Sequence, residues 1–103
     1  MESSAVTFVL LADNNTLKVP TAWEQDLSAA TQNILLEAVH LDLGGVWMGV
    51  ATADSVSDNV RKLFDLPMNI KPFALISVGY PEDGQKNEFV DRYKADRVHF
   101  EKW

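Results

Sequence analysis

Apolar residues fall along this chain in two rhythms, one of period two or less and one of period 3.6. Residues 6–12 (Val-Thr-Phe-Val-Leu-Leu-Ala) are β-branched and almost wholly apolar, and Asp13, Asn14 and Asn15 close the run. That pattern predicts a strand buried on both faces, followed by a turn. Residues 72–81 make the clearest central strand in the chain, ended by Pro81 and by the Asp83-Gly84 turn. Between the two, Leu27, Ala30, Ile34, Ala38 and Leu41 recur at spacings of three and four, which predicts one continuous helical face. Thr21 can cap this helix, with Glu24 three residues on completing a capping box and Pro20 just before. Leu35, Leu36 and Val39 make the helix apolar on nearly all sides, which places it at the centre of the fold or at a subunit interface. Gln32 and Asn33 then need hydrogen-bond partners, and Gly44 is expected to end the helix.

Residues 46–51 form a further strand candidate. Asp54 and Ser55 can cap a short helix with Val56, Val60 and Leu63 as its stripe, closed by Leu66 and Pro67. From Gln85 to the end, Lys86, Arg92, Lys94, Arg97 and Lys102 interleave with acids and few apolar residues. Such a segment cannot build a core. It must pack over the domain or reach onto a neighbouring chain, with His99 in an extended C-terminal strand.

The segment with most chemical content is Leu41-Asp42-Leu43-Gly44-Gly45-Val46-Trp47-Met48-Gly49-Val50. Its glycines allow positive φ and close approach of another molecule, as a flat ring lying on bare peptide amides requires. The plainer reading is a helix C-cap followed by a strand start.

Length and charge narrow the classes. The 103 residues suit one small domain over 1–103. A net charge of −6 argues against nucleic acid or an anionic membrane as partner. With no cysteine, disulfides, thiolate metal sites and a Cys nucleophile are excluded. His40 and His99 are too few and too differently placed for a His-based metal site. No basic residue stands in the opening Met1-Glu2-Ser3-Ser4, and the apolar run after it is too short to span a bilayer, so a cytoplasmic protein is expected. No Ser/His/Asp set, paired carboxylates or phosphate loop is present.

The stretch Leu27-Ser28-Ala29-Ala30-Thr31-Gln32-Asn33-Ile34-Leu35-Leu36-Glu37-Ala38, then Leu43 through Gly49, resembles the C-terminal half of FMN-dependent nitroreductases. The helix leading to Leu66-Pro67, the strand into Gly79-Tyr80-Pro81, and the closing Arg92-Tyr93-Lys94 through Arg97-Val98-His99-Phe100 resemble the same family in the same order. The resemblance implies an α+β fold around a mixed, largely antiparallel sheet, and a homodimer with FMN in its interface. It also implies hydride transfer from NAD(P)H through flavin N5 to a nitroaromatic or quinone-like acceptor. In that family, backbone amides face flavin N5 and O4; they fall here on Met48 and Gly49, with Val46 and Trp47 lining the ring. A basic pair grips the FMN phosphate, and Arg92 and Lys94 match it best, with Arg97 as a substitute. Against phosphate binding stands the reading of Arg92 and Lys94 as a solvated surface pair. Hydride transfer to a flavin needs no protein acid or base.

Two departures accompany the match. Residues 1–15 do not resemble the family's opening segment, which carries Arg and Ser for the phosphate and basic or amide groups for the flavin's pyrimidine edge. The chain therefore reads as a nitroreductase beginning at an internal strand. Asp42 stands where Gly is common and is expected to alter the helix end rather than the chemistry. The alternative function is a non-catalytic dimerising remnant that has lost flavin; a third reading supplies the other half as a separate polypeptide. On all three, uncovered apolar faces should drive association.

Overall fold

The run expected to be the central strand is central. In a computed structural model describing residues 4–103, β3 (Ile70–Gly79) lies between β1 (Val6–Asp13) and β2 (Gly44–Gly49), antiparallel to both. Two helices, α1 (Trp23–His40) and α2 (Asp54–Leu63), and a single 3-10 turn (Ala95–Arg97) complete the described elements. The architecture is α+β, with the last strand inserted between the first two. Met1, Glu2 and Ser3, part of the opening that lacks basic residues, lie outside the described residues.

β3 carries the most buried residues of the sheet: Ala74, Ile76 and Val78 are nearly inaccessible. They pack with Leu10, Phe73 and Ala38, under cover from Trp23, Leu27, Ile34 and Leu35 of α1. Pro72 has no N–H to give a central strand. The ladder with β1 shifts register there: Leu10 faces Ala74, Leu11 faces Pro72, and Phe73 is the extra residue. The Phe73 carbonyl accepts instead from the amides of Val50 (3.1 Å) and Ala51 (3.0 Å) beyond the end of β2.

β1 departs from its expectation of burial on both faces. Leu10 and Ala12 are buried, whereas Val6, Phe8 and Leu11 are about two-fifths exposed. β1 is an edge strand, and Val6 and Phe8 open on an apolar cleft of about 230 Å³ between it and the last turns of α1.

α1 begins at Trp23 after Ala22, with no side-chain cap, so the expected Thr21–Glu24 capping box is not formed. A turn closed by Ala22 N–H on the Val19 carbonyl (3.0 Å) precedes the helix and takes Thr21 out of the capping position. Glu24 and Asp26 in the first turn still favour the positive end of the helix dipole. The inward stripe runs through Trp23, Leu27, Thr31, Ile34, Leu35 and Ala38, not through Ala30 and Leu41, which are exposed. Thr31 is wholly buried because its hydroxyl donates to the Leu27 carbonyl at 2.7 Å. Leu36 and Val39 face outward, half exposed, so α1 is not centrally buried. Gln32 and Asn33 are exposed, so they need no partner within the chain.

Gly44 does not end α1. The Leu43 N–H reaches back to the Ala38 carbonyl (2.8 Å) and the Asp42 N–H to the Val39 carbonyl (3.0 Å), with Asp42 at φ 58°. That is a Schellman closure with aspartate in the left-handed position that glycine usually takes. α2 ends in the same way: Asp65 sits at φ 49° and Leu66 N–H donates to the Arg61 carbonyl at 3.0 Å. The Arg61 guanidinium then bonds the Ile70 and Pro67 carbonyls and ties α2 to the start of β3.

The turn after β1 is tied to the start of β3 as well. The Asp13 carboxylate accepts from Asn69 Nδ2 (2.9 Å) and from the Asn15 N–H (3.0 Å). These bonds, Asn69 first, hold its pKa below the ordinary 3.8.

Two outcomes are expected. Asp42→Gly should leave stability unchanged or raise it, whereas Asp42→Val should cost about 1–2 kcal/mol in chemical denaturation, because a β-branched residue resists positive φ. A carboxylate whose pKa falls on folding contributes stability above its unfolded value and loses it as pH falls through the folded one. The destabilisation by Asp13→Ala should therefore be complete at neutral pH and shrink as thermal melts are taken below about pH 3.8.

Candidate functional site

β2 joins the sheet through one edge only; among the described residues nothing pairs with the other. Opposite residues in an antiparallel pair alternate between rungs that exchange both hydrogen bonds and rungs that exchange none. The Val78 carbonyl points to β1, where it accepts from Ala5 N–H at 2.9 Å. Val78 is therefore turned away from β2, and so is its opposite residue Gly45. The same parity holds for Trp47 opposite Ile76 and Gly49 opposite Ala74. The Val50 N–H donates to the Phe73 carbonyl, which fits the alternation from the other end. Gly45, Trp47 and Gly49 thus direct their N–H and C=O groups along the open edge of β2. The Met48 amide faces Leu75.

Side chains alternate in the same register. Gly45, Trp47 and Gly49 share the sheet face that α1 covers, and Trp47 packs on Phe73 with ring centroids 6.0 Å apart. A β-carbon on Gly45 would stand 2.9 Å from Leu35 Cδ2, so a side chain there would crowd the Leu35 side chain of α1. Val46 and Met48 occupy the opposite face, beside Ser77 and Leu75, and Val46 is half exposed. Gly44 and Gly45 are therefore strand residues set for close approach, and helix capping falls to Asp42.

The basic candidates lie elsewhere. Residues 80–103 are exposed throughout, including Phe89, Phe100 and Trp103 at about nine-tenths. This tail forms no strand, contrary to the expectation for His99, which stacks on Trp103 at 4.5 Å between centroids. Nor does the tail pack over the domain. The radius of gyration is 16.9 Å, against about 13 Å for a compact chain of this length. Arg92 and Lys94 stand on this exposed tail. Sequence reasoning passed over Lys86. It is the first base after β3, and it lines a groove of about 420 Å³ together with Gly44, Gly45, Val46 and Ser77. Its closeness in sequence to the end of β3 was the available signal. Among the described residues no group of three or more His, Asp or Glu could hold a metal ion, and no helix is long and apolar enough to cross a membrane.

The Nitroreductase family profile matches residues 2–80. A protein of Methanothermobacter thermautotrophicus, named as a candidate NADH dehydrogenase/NAD(P)H nitroreductase, is 38% identical over 103 residues, covering all of this chain and 53% of its own. A protein of the same name from Archaeoglobus fulgidus is 41% identical over 105 residues, covering all of this chain and 60% of its own. Among solved structures, a candidate NADH oxidase from Clostridium acetobutylicum superposes with a TM-score of 0.93 at 49% identity, covering 97% of this chain and 60% of that one. A candidate nitroreductase from Desulfovibrio desulfuricans, in complex with FMN, superposes with a TM-score of 0.72 at 26% identity, covering 97% of this chain and 56% of that one. This chain spans a little over half the length of the relatives that it matches.

Placing Gly45 under Leu35 has a measurable consequence. Gly45→Ala should destabilise the chain by about 1–3 kcal/mol through overpacking. The cost should fall in a Leu35→Ala background, so a double-mutant cycle should return a clearly non-additive coupling.

Proposed function

The chain belongs to the nitroreductase family, and we propose that it forms the flavin-edge portion of an FMN-dependent NAD(P)H oxidoreductase acting on nitroaromatic or quinone-like acceptors. The observation that carries this reading is the open edge of β2, where the Trp47 and Gly49 amides point outward within the segment that the family profile matches. FMN fits these residues: a flat heteroaromatic edge rich in acceptors needs N–H donors on a strand whose side chains stand clear of it, and Gly49 carries none. Of the two amides expected at the flavin, Gly49 is on the open edge, while the Met48 amide is turned to Leu75; Trp47 supplies the next outward donor. Val46, exposed on the far face, is free to close over a ring. When bound, FMN supplies the redox chemistry, with NAD(P)H as hydride donor. The protein's share is to hold the ring edge by fixed dipoles and to keep side chains out of its approach.

Arg92 and Lys94 are proposed as the phosphate ligands, a fork and a point charge on one dianion. From the exposed tail they would act on a neighbouring subunit, in a homodimer with the tail of one copy reaching the β2 edge of the other. Leu36 and Val39 on the outer face of α1 offer further apolar surface for such a dimer. A partner polypeptide equivalent to the rest of the relatives' length would serve the same end. A cytoplasmic location is the one that NAD(P)H dependence calls for.

The exposed tail also favours a second reading, in which the chain associates but binds no flavin. Titration with FMN, followed by gel filtration and a visible spectrum of the protein peak, separates the two. Flavin retained near one per chain, with Arg92→Ala and Lys94→Ala weakening FMN but not riboflavin by roughly tenfold each, is the expected result. An associated but colourless protein at saturating FMN would favour the second reading.

A further inference from the structure

The chain has a single Asp-Gly step, Asp83-Gly84, and no Asn-Gly. These two residues are the centre of a β-turn closed by the Gln85 N–H on the Glu82 carbonyl at 3.0 Å, with Gly84 at φ 85°. Both are exposed, and nothing stands within 4 Å of where a Gly84 β-carbon would be. Among the described residues neither the Asp83 carboxylate nor the Gly84 N–H has a hydrogen-bond partner. One exposed hydrogen bond therefore holds the turn, and segments held so lightly open at little cost. The other aspartates are restrained. Asp13 is bound by Asn69 and by the Asn15 amide, and Asp91 by the Tyr93 amide. The amides that follow Asp42, Asp65 and Asp96 are tied to the Ala38, Arg61 and Lys94 carbonyls. Asp26, Asp54 and Asp58 belong to helices.

We infer that Asp83 is a site of spontaneous isomerisation to isoaspartate, and that this change displaces residues 85–87 from their place beside β2. With the turn open, the Gly84 nitrogen attacks the protonated side-chain carboxyl of Asp83. An N–Cγ bond forms, a Cγ–O bond breaks, and the hydroxyl leaves with the amide proton as water. The cyclic succinimide then takes back water at either carbonyl, which restores aspartate or gives isoaspartate. No oxidant, reductant or cofactor enters the balance. Glycine suits the attacking position because no β-carbon crowds its nitrogen. In isoaspartate the main chain runs through the side-chain methylene, so the turn lengthens while the net charge stays the same. Directly after the turn, Gln85, Lys86 and Asn87 line the groove of about 420 Å³ across from Gly44, Gly45 and Val46. The tail beyond them is exposed throughout, so the turn is what sets their position. The inference does not depend on the flavin reading.

The test ages the full chain at neutral pH in ¹⁸O-labelled water and samples it over time. An isoaspartyl-specific methyltransferase with a labelled methyl donor counts the product, and electron-transfer fragmentation of the peptide spanning Asp83 locates it. Methyl acceptance is expected to rise with age, to lie at Asp83, and to be accompanied there by labelled oxygen. Asp83→Glu should lose it, because glutamate must close a larger and slower ring; Asp83→Asn, which expels ammonia instead of water, should gain it several times faster. Both substitutions fall on an exposed turn and leave the core intact. In the ¹⁵N-labelled aged chain the Gly44 and Gly45 amides should show a second set of signals, growing with the isoaspartate and absent from aged Asp83→Glu. Methyl acceptance that stays constant with age, or that persists in Asp83→Glu, would overturn the site. Isoaspartate at Asp83 with unmoved Gly44 and Gly45 amides would overturn its effect on the groove.

Discussion

β3 pairs on both of its edges, and that double commitment decides what its neighbours can offer. Each β3 residue can turn its N–H and C=O to one side only. Ala74, Ile76 and Val78 turn theirs to β1, which leaves Gly49, Trp47 and Gly45 of β2 with nothing to bond in the sheet. The reactive-looking edge of β2 is therefore a by-product of where β3 places its own polar groups. The arrangement holds in a strand containing proline because the ladder slips by one residue at Pro72 and the spare Phe73 carbonyl anchors the chain leaving β2. Gly45 adds a constraint from the other direction, because a larger residue there would require the Leu35 side chain of α1 to shift.

Much of this order was legible in the residues. The apolar run after Lys71 could only be a central strand, and the spacing of Leu27, Ile34 and Ala38 set the inward face of α1. What periodicity does not report is which side of an element its neighbours leave bare. The run 6–12 looks buried on both faces when read alone; as an edge strand it exposes Val6 and Phe8. The glycine pair was ambiguous for a related reason. Glycine serves equally as a cap or as a point of close approach, and Asp42 removed the first need by taking the left-handed position itself. Asp and Asn enter that region more easily than other side chains, so the substitution for glycine there costs little.

The candidate site was read less completely than the fold. Val46, Trp47, Met48 and Gly49 do fall together on one strand, but strand parity, which a sequence does not display, separates the Met48 amide from that of Gly49. Arg92 and Lys94 lie in a segment with no core of its own, so nothing local fixes their position. Lys86 was overlooked because the groove it lines is completed by Gly44, Gly45 and Val46, from a distant part of the chain. The tail's rings stay unburied: burying a large apolar side chain gains about 1.5–3 kcal/mol, and Phe89, Phe100 and Trp103 do not realise that gain within this chain. This nitroreductase-family chain spans a little over half its relatives' length, and its tail and β2 edge are its most exposed parts.

The most direct test of the open edge is residue-resolved amide hydrogen exchange across β2, without and then with FMN. The account requires alternation: slow exchange at Val46, Met48 and Val50, which face β3, and fast exchange at Gly45, Trp47 and Gly49, with the fast set slowing when FMN is present. Equal protection at all six positions, or an alternation in the opposite phase, would contradict the assignment of the β2 edge as the binding face.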